Sequence, residues 1–413
     1  MKILMVNKFL YPNGGSETYI FELGKELERQ GHQVEYFGME HEGRIVGNHA
    51  ECYTAGMDFH TGKLQKLLYP FKIIYSGEAK RKMLRVLEDF EPDVVHLNNF
   101  NFQLTPSVIY AVKKYEKKHG AKVRLVYTAH DLQLVCPDHL MVYGRTGEVC
   151  ERCITEGSLS CFRGRCIHGS AVKSLLGSME NWLYKKMKPY RRIDTIVCPS
   201  FFLESKLKKN PQLLGRTVVL RNFIPGPGME GITVDKQDYA VYFGRYSEEK
   251  GVRTLVEACR DLPEIPFVFA GRGELEAEVD SVPNIQNRGF LGGKELYELI
   301  AGARFSICAS ECPENCPFSV MESLMLRTPV IGADIGGIPE LIEDGKTGML
   351  FQSGDRDELQ KAVRMLWEDR TQNDAMIENC AGVSYDDCTE YCKKMLRIYS
   401  GQIKSTGDKD GKY

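Results

Sequence analysis

No stretch of this sequence approaches the ~18 consecutive apolar residues that a membrane-spanning helix requires. The first residues, Met1 to Pro12, lack the length and cleavage site of a secretory signal. Their apolar run ends at Asn7 and reads as a first buried strand, so a cytoplasmic location is expected. Also lacking is the G-x-G-x-x-G turn of a dinucleotide-binding domain, since the first strand runs into only two adjacent glycines, Gly14 and Gly15. That absence weighs against a nicotinamide-dependent enzyme. There is no nucleic-acid-binding motif, and the net charge of −2 gives no global attraction to polyanions.

What is present points to a globular protein of two domains, because 413 residues are too many for one core. A composition of 43% hydrophobic and 27% charged residues is that of a soluble chain. The small net charge conceals an asymmetry. Residues 1–220 hold 32 Lys and Arg against 23 Asp and Glu, and the remainder holds 22 against 33, giving +9 and −11. Basic clusters such as Lys80-Arg81-Lys82, Lys185-Lys186 and Arg191-Arg192 suit solvated helix faces, and also suit an anionic membrane surface. The segment Leu64–Leu87 mixes apolar residues with lysines in a similar way, fitting a packed helix pair or an interfacial one. Fourteen cysteines without a secretory signal argue for reduced thiols.

The most informative stretch is Ser310–Phe351, SECPENCPFSVMESLMLRTPVIGADIGGIPELIEDGKTGMLF. It follows an apolar run, Phe305–Ala309, expected to be a buried parallel strand. Pro317 suits the first turn of a helix and no later position. Glu314 is therefore placed on a strand-to-helix loop and Glu322 within the helix Ser319–Arg327. The helix N-terminus offers unpaired N–H groups and a partial positive charge to an anionic ligand. A second strand (Thr328–Ala333), Gly336-Gly337 and a further entry at Ile338-Pro339-Glu340 converge on the same volume.

The spacing Glu314-x7-Glu322, the opening Glu314-Asn315-Cys316-Pro317 and the run Pro329–Phe351 closely resemble the nucleotide-sugar site of family 4 retaining glycosyltransferases. The resemblance spans essentially the whole chain, strongest over Tyr239–Phe351 and weakest over Phe37–Asp93. It implies the GT-B fold, an α/β architecture of two Rossmann-like doubly wound domains facing across a cleft. It further implies a UDP- or GDP-sugar donor and a glycan or lipid-linked acceptor. Glu322 would accept hydrogen bonds from both ribose hydroxyls, and Glu314 would orient the transferred sugar. Arg245 and Lys250, around the turn Gly244–Gly251, would stabilise the leaving diphosphate, helped by N–H groups of Phe318, Ser319 and Val320. Gly14 and Gly15 would let backbone approach the diphosphate and sugar, and His130, in Thr128-Ala129-His130-Asp131, matches the family's active-centre histidine. Gly271 and Arg272 would meet the base, with Asn222 and Gly244 completing the donor-binding set. No catalytic metal is expected, since Arg245 and Lys250 supply the neutralising charge.

The expected domains are 1–220, carrying a Cys-rich insert at 136–168; 221–384; and 385–413, a helix crossing back to the first domain followed by a polar tail. Arg221–Gly228, rich in Pro and Gly, is the linker candidate. Within the insert, Cys150-x2-Cys153-x7-Cys161-x4-Cys166 has the spacing of a four-thiolate structural zinc site, with Cys136 and His168 as spare ligands. Free thiols packed as small hydrophobes fit the same pattern. Two other classes of function remain in view. One is a sugar-nucleotide oxidoreductase or epimerase, for which Tyr184-x3-Lys188 has the spacing of a catalytic pair. The other is a non-catalytic, metal-stapled interaction protein.

Overall fold

The computed structural model describes residues 1–56, 74–224, 229, 231, 232 and 234–403. The start of the Leu64–Leu87 segment, residues 225–228 of the linker candidate, and the tail from residue 404 lie outside the described residues. The chain forms two compact units, one of Met1–Arg221 with the stretch from Cys388 onward, the other of Asn222–Asp387.

In the first unit the order is β1 (Lys2–Val6), α1 (Gly15–Arg29), β2 (Gln33–Phe37), α2 (Gly77–Phe90), β3 (Val94–Leu97), α3 (Ser107–His119), β4 (Arg124–Thr128), α4 (Arg152–Thr155), α5 (Leu159–Gly164), α6 (Ala171–Met187), β5 (Thr195–Cys198), α7 (Phe201–Leu207) and β6 (Thr217–Val219). The six strands form one sheet in the order β2-β1-β3-β4-β5-β6, every pair parallel. Helices on both faces explain why these strands read as apolar runs: β3 and β5 are buried at every residue. The strand order reverses between β1 and β3, so the loops leaving those two strands diverge and open a crevice at their carboxyl ends.

The second unit repeats the plan: β7 (Ala240–Phe243), α8 (Val252–Arg260), β8 (Phe267–Ala270), α9 (Glu276–Asp280), β9 (Ile285–Asn287), α10 (Gly293–Gly302), β10 (Phe305–Cys308), α11 (Phe318–Met325), β11 (Val330–Ala333), β12 (Gly348–Phe351), α12 (Arg356–Glu368) and α13 (Arg370–Cys380). Its sheet, β12-β11-β10-β7-β8-β9, is again all parallel, and its reversal falls between β7 and β10. Phe267, Phe269, Phe305, Val320 and Leu324 are fully or almost fully buried in one core between sheet and helices. The helix expected over Ser319–Arg327 is α11, entered from Pro317 and ended where Arg327 takes a left-handed conformation (φ 55°).

Beyond Asp387 the chain rejoins the first unit as α14 (Cys388–Tyr399), which packs along α1. The Tyr19 hydroxyl of α1 hydrogen-bonds the Tyr391 hydroxyl at 2.9 Å and Thr128 Oγ1 at 3.1 Å. The Tyr399 hydroxyl bonds Nδ1 of His96 at 2.7 Å, while His96 Nε2 bonds Thr128 Oγ1 at 2.8 Å. Five polar side chains thus satisfy one another inside an otherwise apolar region, as burial requires.

Candidate active site

The reversal in the second sheet brings the loops after β7 and β10 side by side. The β7 loop carries Arg245, which is exposed, and Lys250, which ends a short 3₁₀ turn, Glu248–Lys250. The β10 loop carries Glu314. Lys250 Nζ and Glu314 Oε1 form an ion pair, and Ser310 Oγ donates to the same oxygen at 2.9 Å. Burial acts to lower the pKa of Lys250, but the Glu314 charge outweighs it, and the net shift is upward. Lys250 is thus held as a cation at every physiological pH. The two loops are also tied by backbone, with the N–H groups of Glu311 and Cys312 donating to Glu249 O at 3.0 and 3.3 Å.

Gly251 makes this close approach possible, since a Cβ there would lie 1.8 Å from Ala309 O, and two further glycines seat the neighbouring loops. A Cβ on Gly271, after β8, would lie 1.9 Å from Gly244 O, so no side chain fits where the loops after β7 and β8 meet. Gly336, after β11, has φ 65°, and a Cβ there would lie 2.3 Å from Glu314 O. Its neighbour Gly337 donates its N–H to Glu314 O at 2.7 Å, fixing the carboxylate's backbone from the other side. Asn222 reaches the same loop: Nδ2 donates to Cys316 O at 3.1 Å, and its buried Oδ1 has no partner among the described residues.

Glu322 lies on α11 and is half-buried, and among the described residues nothing hydrogen-bonds or ion-pairs with its carboxyl. Burial pushes its pKa up to about 8 from an ordinary 4.5. The first-turn N–H groups divide unevenly. That of Val320 already donates to Pro317 O at 3.2 Å, so the expected trio of donors contracts to Phe318 and Ser319.

In the first unit, Gly14 and Gly15 open α1. Around them lies a polar network that sequence reasoning did not anticipate. Asn7 Nδ2 and Ser16 Oγ donate to the two oxygens of Glu17 at 2.9 and 3.0 Å. Asn99, after β3, donates through Nδ2 to Ser16 Oγ at 2.9 Å and through its backbone N–H to Asn7 Oδ1 at 3.0 Å. His130 follows β4 as expected. Its Nε2 bonds Asn98 Oδ1 at 2.9 Å and its ring meets Tyr19 edge-on, 5.0 Å between centroids. Burial holds its pKa down to about 4, so the ring is neutral at pH 7. Asp131 pairs with Nδ1 of His139 at 3.2 Å.

The insert thiols gather. Cys161 lies within hydrogen-bonding reach of both Cys153 and Cys166, and these three share one small cavity with Cys150 and Cys136. The Arg152 N–H points at Cys150 Sγ, 3.4 Å away. Among the described residues no group of three or more His, Cys, Asp or Glu is arranged to hold a metal ion. His168 is exposed and does not line the cavity. Tyr184 and Lys188 make no catalytic pair: the tyrosine is buried with its hydroxyl on Ile74 O, and the lysine is the left-handed cap of α6.

Two all-parallel Rossmann sheets, one with a cation–carboxylate pair at its reversal point, define the GT-B class of glycosyltransferase. The model for Glycosyltransferase Family 4 matches residues 13–225, more than half of the chain, and the model for Glycosyl transferases group 1 matches residues 230–382; the chain belongs to Glycosyltransferase Family 4. Among curated relatives, alpha-D-kanosaminyltransferase of Streptomyces kanamyceticus is 26% identical over 159 residues, 36% of this chain and 41% of that protein. N-acetyl-alpha-D-glucosaminyl L-malate synthase of Bacillus anthracis is 23% identical over 368 residues, 84% of this chain and 82% of that one. Anabaena HepE, solved in complex with UDP and glucose, superposes with a TM-score of 0.65 at 17% identity, covering 97% of this chain and 100% of its own. Sucrose-phosphate synthase from Thermosynechococcus elongatus gives 0.66 at 16% identity, with 97% and 98% covered. At such identities the likeness is one of fold.

Proposed function

We propose that this chain is a retaining glycosyltransferase moving a sugar from a UDP- or GDP-sugar to a glycan or lipid-linked acceptor in the cytoplasm. The observation that carries this reading is the Lys250–Glu314 pair at the reversal point of the second sheet. A diphosphate arriving there gives Lys250 a second anion, and Glu314 is then free to accept hydrogen bonds from the sugar. Arg245 adds a second cation, and Phe318 and Ser319 add N–H donors. Glu322, which has no hydrogen-bond partner among the described residues, accepts from the two ribose hydroxyls in its ionised form. In the transfer step the acceptor hydroxyl oxygen bonds to the anomeric carbon on the face the diphosphate leaves. The carbon–phosphate oxygen bond breaks, and the acceptor's proton passes to the departing diphosphate. His130, neutral at pH 7, acts as a hydrogen-bond partner for the sugar and not as a cation. That a neighbour of the same fold was solved with UDP and glucose supports a uridine nucleotide.

A thermal-shift series with UDP and GDP, followed by mass spectrometry of products from a donor panel, tests the reading. A ligand at 100 times its Kd adds about 2.7 kcal/mol of stability. If neither nucleotide shifts the melting curve, the reading falls. Transfer that needs no added divalent cation is expected.

We also propose that Cys150, Cys153, Cys161 and Cys166 hold a structural zinc ion, supported by their spacing and their shared cavity. The four thiols are not arranged as a ligand shell among the described residues, so binding would require both loss of the thiol protons and a rearrangement of the insert. Metal analysis of freshly reduced protein should give close to one zinc per chain. A value near zero removes the proposal.

A further inference from the structure

Helix α6 is amphipathic in the inverted sense. The side it turns to the protein carries Ser174, Gly177, Ser178, Glu180 and Tyr184. Two of those serines are hydrogen-bonded: Ser178 Oγ accepts from the Phe162 N–H at 3.1 Å and Ser174 Oγ from the Ile167 N–H at 3.0 Å, which seats α5 and the following turn against it. The outer side carries Val172, Leu175, Met179 and Trp182, respectively 69%, 38%, 49% and 52% exposed. Steps of three, four and three residues put them on one stripe. Lys186 continues the stripe with its Nζ 4.1 Å from the Trp182 ring centre. Leu159 and Phe162 of α5 are exposed as well. Residues 159–187 thus hold seven of the sixteen exposed large hydrophobic side chains of the described residues, a concentration that scattered surface residues do not produce.

Charge identifies what covers this face. Between Leu159 and Arg192 there are eight Lys and Arg, all exposed, and one carboxylate, the buried Glu180. A second copy of the chain would bring the same cations against themselves. A surface of anionic headgroups over an apolar layer matches both the stripe and its surroundings. No helix among the described residues is long and apolar enough to cross a membrane, so such a helix would lie in the interface plane.

We propose that α6, with α5 beside it, docks this protein on an anionic lipid bilayer, Val172, Leu175, Met179 and Trp182 entering the headgroup layer and the surrounding cations pairing with lipid phosphates. This contact is separate from the donor site and does not depend on the reaction assigned above.

Co-sedimentation of the full chain with vesicles of phosphatidylcholine alone, and of phosphatidylcholine with phosphatidylglycerol, tests it. Binding is expected only to the anionic vesicles, weakening as salt is raised. The double variant Met179→Ser, Trp182→Ser should weaken it at least about tenfold. The charge reversals Lys173→Glu and Lys186→Glu should each weaken it about fivefold or more. These side chains are exposed, so the variants' melting temperatures should stay near that of the parent, which separates lost docking from lost fold. Since the chain has two tryptophans, Trp367→Phe leaves Trp182 as sole reporter, and its emission should shift to the blue on adding anionic vesicles. Absence of vesicle binding, or binding equal in parent and variants, overturns the proposal. So does a stable dimer that shields Trp182, which would give this face to a second copy. Melting with UDP on the same preparation is a separate readout: its failure would sink the donor assignment and leave docking standing.

Discussion

Lys250 and Glu314 neutralise each other in the free protein, so removing either strands the other's charge. Lys250→Ala should lower turnover about 100-fold or more, the scale of a lost contact to the leaving group, while circular dichroism shows the fold retained. Transfer near the parent rate would remove Lys250 from the mechanism. Glu322 carries a pH signature. Its carboxyl, raised to about 8 from 4.5, binds more protons folded than unfolded, so its contribution to stability is present at low pH and lost as pH rises through that window. Glu322→Gln should therefore gain stability relative to the parent between pH 5 and 8, by at most about 1.4 kcal/mol per pH unit, in paired denaturant titrations. A difference flat across that range would show the carboxyl is not held neutral. The buried histidines work in the other direction. His130, held down to about 4, and His96, held down to about 3, lose stability as pH falls below 6.5, where the unfolded chain takes up protons that the folded one refuses. Lys250, Glu314 and His130 could be singled out in the sequence because each sits beside a local signal, a strand end or a turn. His96 could not, for its partner Tyr399 lies 303 residues away and no local pattern records so distant a bond.

Among the elements, the loop after β11 makes the sharpest claim. Gly336 combines a left-handed conformation with a backbone contact that admits no Cβ, so Gly336→Val should cost about 1–3 kcal/mol and displace Glu314. Activity should fall with stability, and normal kinetics in a folded variant would mean that the Glu314 backbone is not positioned from this side. The buried strands were legible because parallel strands covered on both faces leave unbroken apolar runs. The three-residue β6 was too short to leave one. The orientation of helix α6 was not legible in the sequence. A stripe recurring every three or four residues shows that a helix has two sides and says nothing about which meets water. Only its buried serines and glycine reveal that the apolar side is outward.

At the scale of the whole chain, the first unit is assembled from both ends of the sequence, residues 1–221 with those from 388 onward. A chain ending at Asp387 would lose the buried Tyr391, Met395, Ile398 and Tyr399, each worth about 1.5–3 kcal/mol of apolar burial, and the hydroxyl partners of Tyr19 and His96. Their sum rivals the ~5–15 kcal/mol by which a typical domain is stable. The first unit of such a chain should be digested by protease while the second persists, and equal resistance of the two would contradict the packing of α14. During synthesis the same arrangement sets an order of events. The second sheet can close as soon as its last strand clears the ribosome. The amino-terminal half, although translated earlier, must wait with its α1 groove open until α14 emerges to fill it.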